Sequence, residues 1–521
     1  MGSVVLTSIR LAFLCFICLL LGNCATTIPT DYESPVSTAL ADPEETELGR
    51  FFQHDISAHP GESGVALVAT GEQGFRARAD LSNQAERSID AQYYIWENDS
   101  AGRILAERVL RAADRGVRVR MLIDHITLGK TDFNMARMDQ HPNIQIRLFN
   151  PFKRSTLRGL ELFFNLGRLN YRMHNKAFIV DNTIAIVGGR NIGDNYFGIS
   201  AAENFRDLDL ALVGPVVQDV SASFDKYWNS KYSVPVSVVT GGQFTEEELQ
   251  ERKTRLYSWV AELKDFPYPI NTSSNSVSAW LEQLRGNYIW APARALYDKP
   301  DKQETRNEDV MSHLVEMGKH KESEYLIESA YVVPGPENIE RARINREKGI
   351  RQRLFTNSLA TNDVAAAHAG YAKYRRDLIR NGVEVYELRP DATSVKKGWS
   401  LLAGRSKASL HTKVGVVDRE VVNVGSFNFD PRSTALNTEL VISVKSTALA
   451  AQVIDFMDDG VRPENSYRVI METDSETGVE RLVWLTENNG KEVRYYSEPE
   501  SGFWRRFSAW FIGLLPIEQH L

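Results

Sequence analysis

Two short motifs carry residue types suited to chemistry at a phosphate. His174 and Lys176 are separated by one residue, and His411 and Lys413 repeat that spacing. On a strand, residues i and i+2 point to one side, so each histidine is expected to project beside its lysine. An imidazole can attack an electrophile or donate a proton, and a lysine ammonium can neutralise a phosphate oxygen. The two pairs together predict a site with one nucleophile and one general acid.

The residues that follow each motif repeat as well. Asp181 and Asp418 come five residues after the two lysines, at predicted hairpin turns. A glycine-containing tetrapeptide follows each aspartate. The amides of Asn191 and Asn428 in these tetrapeptides can donate hydrogen bonds to a phosphate, and the glycine positions allow close backbone approach to it. The tetrapeptides are Gly188-Gly189-Arg190-Asn191 and Gly425-Ser426-Phe427-Asn428, so Gly189 and Ser426 are predicted to adjoin the substrate phosphate.

These motifs belong to a duplication whose two copies lie 237 residues apart. In each copy a buried strand (89–96 and 325–333) precedes an amphipathic helix (103–115 and 337–348). A second strand, another helix, an edge strand and the motif hairpin follow. This alternation predicts an α/β fold, with two mixed sheets flanked by helices and related by a pseudo-two-fold axis. Since one copy supplies only one histidine, the two-fold arrangement is expected to bring His174 and His411 into one cleft.

The same patterns predict the domain boundaries. The segments are a signal segment (1–24), a flexible tether (25–45), the first repeat domain (46–240), a linker (241–305), the second repeat domain (306–460) and a C-terminal β-meander with an amphipathic helix (461–521).

The duplicated pattern His-x-Lys-x4-Asp-x6-Gly-[Gly/Ser]-x-Asn resembles the phospholipase D superfamily. Stretches such as RMHNKAFIVD, VGGRNIGDNYF and GSFNFDPRSTALNTE are similar to those of bacterial cardiolipin synthases, particularly the C-type branch. The resemblance covers most of residues 50–460. It implies a phosphohistidine intermediate that is captured by water or by another alcohol, and it implies neither a metal nor a cofactor.

The resemblance also implies roles for individual residues. His174 would be the nucleophile and His411 the general acid. Asp181 and Asp418 would hold the lysine and its loop, and Asp209 and Glu439 would orient the imidazoles by accepting from the second ring nitrogen.

Composition restricts the range of partners. The chain has 521 residues and a net charge of −7, which argues against a protein that grips nucleic acid over a broad basic face. The cysteines are Cys15, Cys18 and Cys24, so the remaining body can form neither a disulfide framework nor a cysteine-ligated metal site.

The N-terminus predicts export. The apolar run from Leu11 to Leu21 is too short for a transmembrane helix and suits a secretory signal. The following Leu21-Gly22-Asn23-Cys24 resembles a bacterial lipobox, although Asn23 departs from its usual small residue. We therefore expect a lipoprotein acylated at Cys24 that faces the periplasm, and Ala25 resembles the outer-membrane sorting pattern. An uncleaved anchor, or a signal cut elsewhere, is the alternative.

Three apolar segments predict contact with lipid. One lies between Leu160 and Leu166, and another between Trp399 and Leu402 beside several cations. The third, near the C-terminus, places Phe503, Trp504, Phe507, Trp510, Phe511 and Leu514 on one helical face, as in an interfacial helix. Ordinary core packing for the first two, and docking of the third on the body, are the alternatives.

These observations together predict a membrane-anchored phosphatidyltransferase of the cardiolipin synthase type. Its expected partners are membrane phospholipids as donor and acceptor, and whether a helper protein assists is left open. The first alternative is a phospholipase D that releases phosphatidic acid. A nuclease is less favoured because of the acidic body, the fused motifs and the lipobox, and a scaffold because both motifs are intact.

Overall fold

The computed structural model describes residues 32–126, 132–152, 166–242, 244–270, 274–307, 309–395, 406–488 and 490–513. Several predictions concern residues outside these ranges. They are the signal segment with Cys24, most of the apolar segment 160–166, the segment 399–402, and Leu514.

The first repeat builds a nine-stranded sheet in the order β10-β1-β8-β6-β5-β2-β3-β4-β9. Strands β2, β3 and β4 run parallel to one another, and the other neighbouring pairs are antiparallel. Its elements are α1 (Glu47–Ala58), β1 (Ser63–Val68), α2 (Gly71–Gln84), β2 (Ser88–Tyr93), α3 (Ser100–Asp114), β3 (Arg118–Asp124), α4 (Asp132–Met138), β4 (Ile144–Phe149), α5 (Leu166–Leu169), β5 (Ala177–Val180), β6 (Ile184–Gly188), β7 (Glu203–Arg206), β8 (Asp209–Val213), α6 (Pro215–Trp228), β9 (Ser233–Pro235), α7 (Val236–Thr240), α8 (Glu246–Glu262), α9 (Ser274–Gly286) and β10 (Ile289–Ala291).

The second repeat builds a ten-stranded sheet in the order β11-β18-β17-β16-β12-β13-β14-β19-β20-β21. Its elements are β11 (Ala293–Tyr297), α10 (Lys302–Thr305), α11 (Asp309–Lys319), β12 (Glu324–Ser329), α12 (Gly335–Glu347), β13 (Arg351–Asn357), α13 (Ala365–Arg380), β14 (Val383–Leu388), β15 (Lys407–Leu410), β16 (Lys413–Val417), β17 (Val421–Gly425), α14 (Pro431–Ala435), β18 (Leu440–Lys445), α15 (Thr447–Gly460), β19 (Ser466–Thr473), β20 (Glu480–Asn488), β21 (Lys491–Tyr495) and α16 (Phe503–Gly513).

The two sheets share one strand order. From β1 to β9 the first sheet matches the second from β11 to β19, strand for strand. The parallel strands of both sheets are joined by helices, as the alternation of strands and helices predicts. The predicted duplicated α/β fold is confirmed.

Two details differ from the sequence-based expectation. The predicted edge strands, β4 and β14, are each paired on both sides, because β9 and β19 add to them. The segment predicted as a linker contributes a strand to each sheet, with β10 pairing with β1 and β11 pairing with β18.

A shared hydrophobic core joins the halves. In β5, Ala177 and Ile179 face a cluster that also contains Val414 and Val416 of β16 and residues of α6 and α15. The alternate residues Phe178 and Val180 face a separate core under α2 and α3. The period of two along β5 therefore directs one side of the strand to the other repeat and the opposite side to its own helices.

A short parallel ribbon also links the halves. Strand β7 of the first repeat pairs with β15 of the second, from Glu203 opposite Lys407 to Arg206 opposite Leu410. This ribbon ends directly before His411, so it positions the second motif against the first repeat.

Candidate active site

Each motif histidine is held by the backbone of the other repeat. The His174 amide donates to the Thr438 carbonyl at 2.9 Å, and the His411 amide donates to the Arg206 carbonyl at 2.8 Å. Both residues are only 6% exposed. Burial lowers the pKa of His411, and the charges of Lys413 and of Lys176, the lysine of the other motif, lower it further. The two motifs therefore share one buried site at the junction of the halves.

The carboxylates that contact the imidazoles are exchanged between the halves. Nδ1 of His174 lies 3.0 Å from Oε2 of Glu439, and Nδ1 of His411 lies 2.6 Å from Oδ2 of Asp207. Nδ1 of His174 is also 3.0 Å from the carbonyl oxygen of Ser426. Because all these partners are acceptors, each Nδ1 carries the proton and each Nε2 keeps its lone pair.

The contact between Asp207 and His411 corrects the prediction for Asp209. The carboxylate of Asp209 instead accepts from the Arg78 guanidinium at 2.9 Å and from the Arg190 amide at 3.2 Å. Residues i and i+2 share a side of a regular strand, so alternation alone does not separate the two aspartates. Strand β8 begins only at Asp209, which leaves Asp207 ahead of it, where it turns toward the second repeat.

Gly189 lies against the carboxylate of Asp207, and Ser426 lies against that of Glu439. Both positions differ from the predicted contact with the substrate phosphate. A Cβ at Gly189 would stand 2.2 Å from Oδ1 of Asp207, so only glycine leaves room for that side chain. The hydroxyl of Ser426 donates to Glu439. Both backbone amides are also engaged, donating to Leu208 at 3.2 Å and to Leu440 at 2.9 Å. These two positions support the acids and have no amide directed at a substrate.

The two asparagines keep groups available for hydrogen bonding. Asn191 accepts from the Ile95 amide at 3.1 Å, while its buried Nδ2 has no hydrogen-bond partner among the described residues. Buried Oδ1 of Asn428 is likewise unpaired within the described part of the chain. Since buried polar groups are nearly always paired, these positions are suited to contacting a substrate.

Both motif lysines are fully buried beside their histidines. Lys176 donates to the carbonyl of His174, and Lys413 donates to the carbonyl of His411. Burial lowers the pKa of Lys413 to about 8 and lowers that of Lys176 well below its ordinary value. Burial of both ammonium groups favours binding of an anion, because an anion restores the stability of their charged forms.

Burial also keeps the imidazoles neutral. It lowers the pKa of His174 to about 4, and lowers that of His411 well below the ordinary value, with help from both lysines. Burial raises the pKa of Glu439, but its hydrogen-bonded contact with His174 and the charge of Lys176 outweigh burial and hold that pKa below its ordinary value. A carboxylate beside a neutral imidazole is the arrangement that activates a nucleophilic nitrogen.

The motif aspartates lie at the far ends of the hairpins. Asp181 and Asp418 adopt left-handed backbone angles, with φ of 50° and 51°. Asp181 accepts from the amides of residues 86–88 at 2.8–3.0 Å, and Asp418 accepts from those of residues 322–324 at 2.7–2.9 Å. At a strand rise of about 3.3 Å per residue, they lie roughly 16 Å from the lysines. They tie the hairpins to the loops before β2 and β12, and the predicted contact with lysine is replaced by these amides.

The sequence did not predict that three aromatic rings surround the two imidazoles. The ring centroid of Tyr94 lies 5.0 Å from that of His174, while Tyr196 and Phe205 lie 5.1 and 5.2 Å from that of His411. Burial raises the pKa of Tyr94 to about 12, so this phenol stays neutral. Their sequence signal is proximity to the motifs, since Tyr196 comes five residues after Asn191 and Phe205 two residues before Asp207.

The C-terminal helix α16 docks on the body and keeps an aromatic face exposed. It packs on α13 through buried Ala509, and Arg505 donates to the carbonyl of Leu359 at 2.6 Å. Its aromatic face remains in solvent: Trp504 is 75% exposed and Trp510 is 61% exposed.

The described residues contain neither a helix suited to crossing a membrane nor a cluster of metal-ligating side chains. None of their helices combines the length and apolar character that a membrane crossing requires. No group of three or more His, Cys, Asp or Glu side chains in the same ranges is arranged to hold a metal ion.

The sequence matches the family described as "Cardiolipin synthase, PLD-like domain" over residues 79–228 and 315–459, and each segment contains one motif. It is 38% identical over 470 residues to Cardiolipin synthase C of Escherichia coli strain K12, covering 89% of this chain and 97% of that one. An uncharacterized protein of Helicobacter pylori strain 26695 is 30% identical over 500 residues, covering 93% of this chain and 95% of that one.

The fold is similar to that of a solved phosphatidylserine synthase from Haemophilus influenzae. The TM-score is 0.51 at 13% sequence identity, and the match covers 79% of this chain and 90% of that one. At this identity the similarity concerns the fold alone.

Proposed function

Since this chain belongs to the PLD-like domain family of cardiolipin synthases, we propose that it is a phosphatidyltransferase acting on membrane phospholipids. It cleaves the phosphodiester of a glycerophospholipid and passes the phosphatidyl group to a lipid alcohol such as phosphatidylglycerol. The observation that carries this proposal is the pair of buried imidazoles, each held at Nδ1 by the carboxylate of the opposite repeat.

In the first step, Nε2 of His174 attacks phosphorus, and the bond between phosphorus and the head-group oxygen breaks. Protonated His411 gives its Nε2 proton to that leaving oxygen. The anionic substrate offsets the repulsion from Lys176 and Lys413, which raises the pKa of His411 and allows it to carry this proton. The product is a phosphatidyl group bonded to His174 and a free head-group alcohol.

In the second step the roles reverse. His411, now neutral, removes the proton of the acceptor hydroxyl, and the acceptor oxygen attacks phosphorus and displaces Nε2 of His174. The lysines and the unpaired Nδ2 of Asn191 stabilise the charge that develops on the phosphoryl oxygens in both steps. The assignment of nucleophile to His174 follows the family arrangement, since the two halves present similar geometry.

Attachment to the bilayer forms part of the proposal. The exposed aromatic face of α16 suits a position at the membrane surface. Phe503, Trp504 and Trp510 would lie at the boundary between the lipid headgroups and the acyl chains. Acylation of Cys24 would place the catalytic body outside the cytoplasm, at the outer membrane if Ala25 directs sorting.

The test is incubation of purified protein with vesicles of phosphatidylglycerol, followed by mass spectrometry of the lipids. We expect cardiolipin and free glycerol from the wild type and neither from His174→Ala. Phosphatidic acid as the main product, with lipid acceptor in excess, would show a hydrolase that uses water in the second step. Release of no head group from any defined phospholipid would refute the proposed function.

A further inference from the structure

A groove opens on the outer face of the second sheet, between helices α11 and α12. Its cavity volume is about 470 Å³, within the range of small-molecule sites. Leu314 and Met317 of α11 form one wall, Ala342 of α12 forms the other, and Tyr325 and Ile327 of β12 form the floor. The groove is therefore largely apolar, and its volume is sufficient for a small ligand.

The groove has a specific origin in the duplication. Phe178 and Gly415 are equivalent, since each comes two residues after its motif lysine. In the first repeat, Phe178 is buried in the core under α2 and α3, and these two helices pack against each other. In the second repeat, the nearest atom to a Cβ built at Gly415 is the carbonyl oxygen of Leu326 at 4.0 Å. The space that a phenyl ring fills in one half is thus open in the other.

The second repeat also lacks an aromatic side chain at the end of the groove that lies beside Lys413. Tyr93, the last residue of β2, is fully buried, and its hydroxyl oxygen accepts a hydrogen bond from Nε of Arg78 at 2.8 Å. The equivalent position at the end of β12 is Ser329, which is the cross-strand partner of Lys413. Ser329 and Lys413 both line the groove. The groove therefore starts at one of the lysines proposed to bind the phosphate and runs outward between α11 and α12.

The walls of the groove also carry positive charge. Lys321, Arg341 and Lys348 line it, and half-burial together with the other two cations lowers the pKa of Lys321. Cations beside an apolar channel complement a lipid surface, where phosphate groups surround the acyl chains. Helix α12 also packs on α13, which carries α16, so one wall of the groove belongs to the same helical layer as the exposed aromatic face.

We propose that this groove holds an acyl chain of the donor phospholipid while its phosphate lies between His174 and His411. This inference rests on the proposed function, because it assumes a glycerophospholipid at the two histidines. A chain held there keeps the phosphatidyl group oriented after the head group leaves, while the acceptor approaches.

The test places at Gly415 the phenylalanine side chain that the first repeat carries at the equivalent Phe178. Gly415→Phe is compared with the wild type and with Gly286→Phe, a matched substitution at an exposed residue with no atom within 4 Å of an added Cβ. Glycerol release is measured from dioleoyl and from dihexanoyl phosphatidylglycerol, since this release reports cleavage whatever the acceptor. Gly415→Leu, a shorter plug, carries the test if Gly415→Phe does not fold, and thermal unfolding of every variant monitors folding.

We expect Gly415→Phe to lower the ratio of kcat/KM for the long-chain to the short-chain lipid by about tenfold or more, since a long chain loses more buried methylenes. Gly415→Leu should lower it by less, and Gly286→Phe should leave it at the wild-type value. An unchanged ratio in folded Gly415 variants, with an active wild type, would overturn the groove assignment and leave the proposed function standing. A wild type that releases no head group from any defined phospholipid would overturn both.

Discussion

Replacing Asp207 or Asp209 by asparagine tests separately the proposed orientation of His411 and the stability of the fold. The two side chains are two residues apart and both are buried. Asp207 touches the His411 imidazole at 2.6 Å, whereas Asp209 pairs with Arg78 at 2.9 Å. The same chemical change at neighbouring positions should therefore have two different consequences.

The magnitude for Asp207→Asn follows from the charge that it removes. When His411 is protonated, its positive charge lies about 4 Å from the carboxylate charge, and with an effective dielectric constant near 20 that interaction is worth about 4 kcal/mol. Loss of it from the transition state corresponds to a decrease in kcat of about a thousandfold. The isosteric amide keeps the packing at Gly189, so the melting temperature should change little.

Asp209→Asn should show the opposite pattern. It leaves buried Arg78 without its carboxylate, and breaking a buried ion pair costs about 3–5 kcal/mol of folding free energy. The folded fraction should nevertheless keep most of its kcat, because Asp209 contacts neither imidazole directly.

The assay is glycerol release from phosphatidylglycerol vesicles at saturating lipid, alongside urea unfolding of each variant. A folded Asp207→Asn protein within tenfold of the wild-type kcat would refute the assigned role. So would a folded Asp209→Asn protein with the thousandfold loss.

Four further outcomes are expected. Alanine at His174 or His411 should lower kcat/KM roughly a thousandfold or more, and phosphoenzyme trapped by acid quench should map to His174; label on His411 would reverse the assignment. Because burial brings the pKa of Lys413 to about 8, kcat/KM should fall as pH rises past that value, and Lys413→Arg should move the limb to higher pH; an unmoved limb would assign it to another group. In a Cys24→Ser protein, Trp510→Ser should weaken vesicle binding in a sedimentation assay, and equal binding would show that α16 does not anchor the chain. EDTA should leave the rate unchanged, whereas a loss restored by a divalent cation would contradict the metal-free mechanism.

The sequence by itself determined the fold class and predicted the chemistry proposed for the site. Both His-x-Lys pairs and their equal distance from an aspartate are local patterns, and hairpin turns at Asp181 and Asp418 follow from such patterns. The alternation of strands with helices is also local, since it reflects hydrophobic periodicity within short windows. Those signals were enough to predict two similar α/β repeats and one shared site.

Tertiary structure decided which side chains meet within that site. Asp207 and Asp209 have the same spacing relationship on a strand, and only the start of β8 and the missing side chain of Gly189 direct Asp207 to His411. The exchange of carboxylates between repeats depends on how two sheets pack, which no local window contains. In the same way, Gly415 is an ordinary strand residue in the sequence. It marks a groove only because α11 and α12 stand apart above it, whereas Phe178 fills the equivalent space beneath α2 and α3.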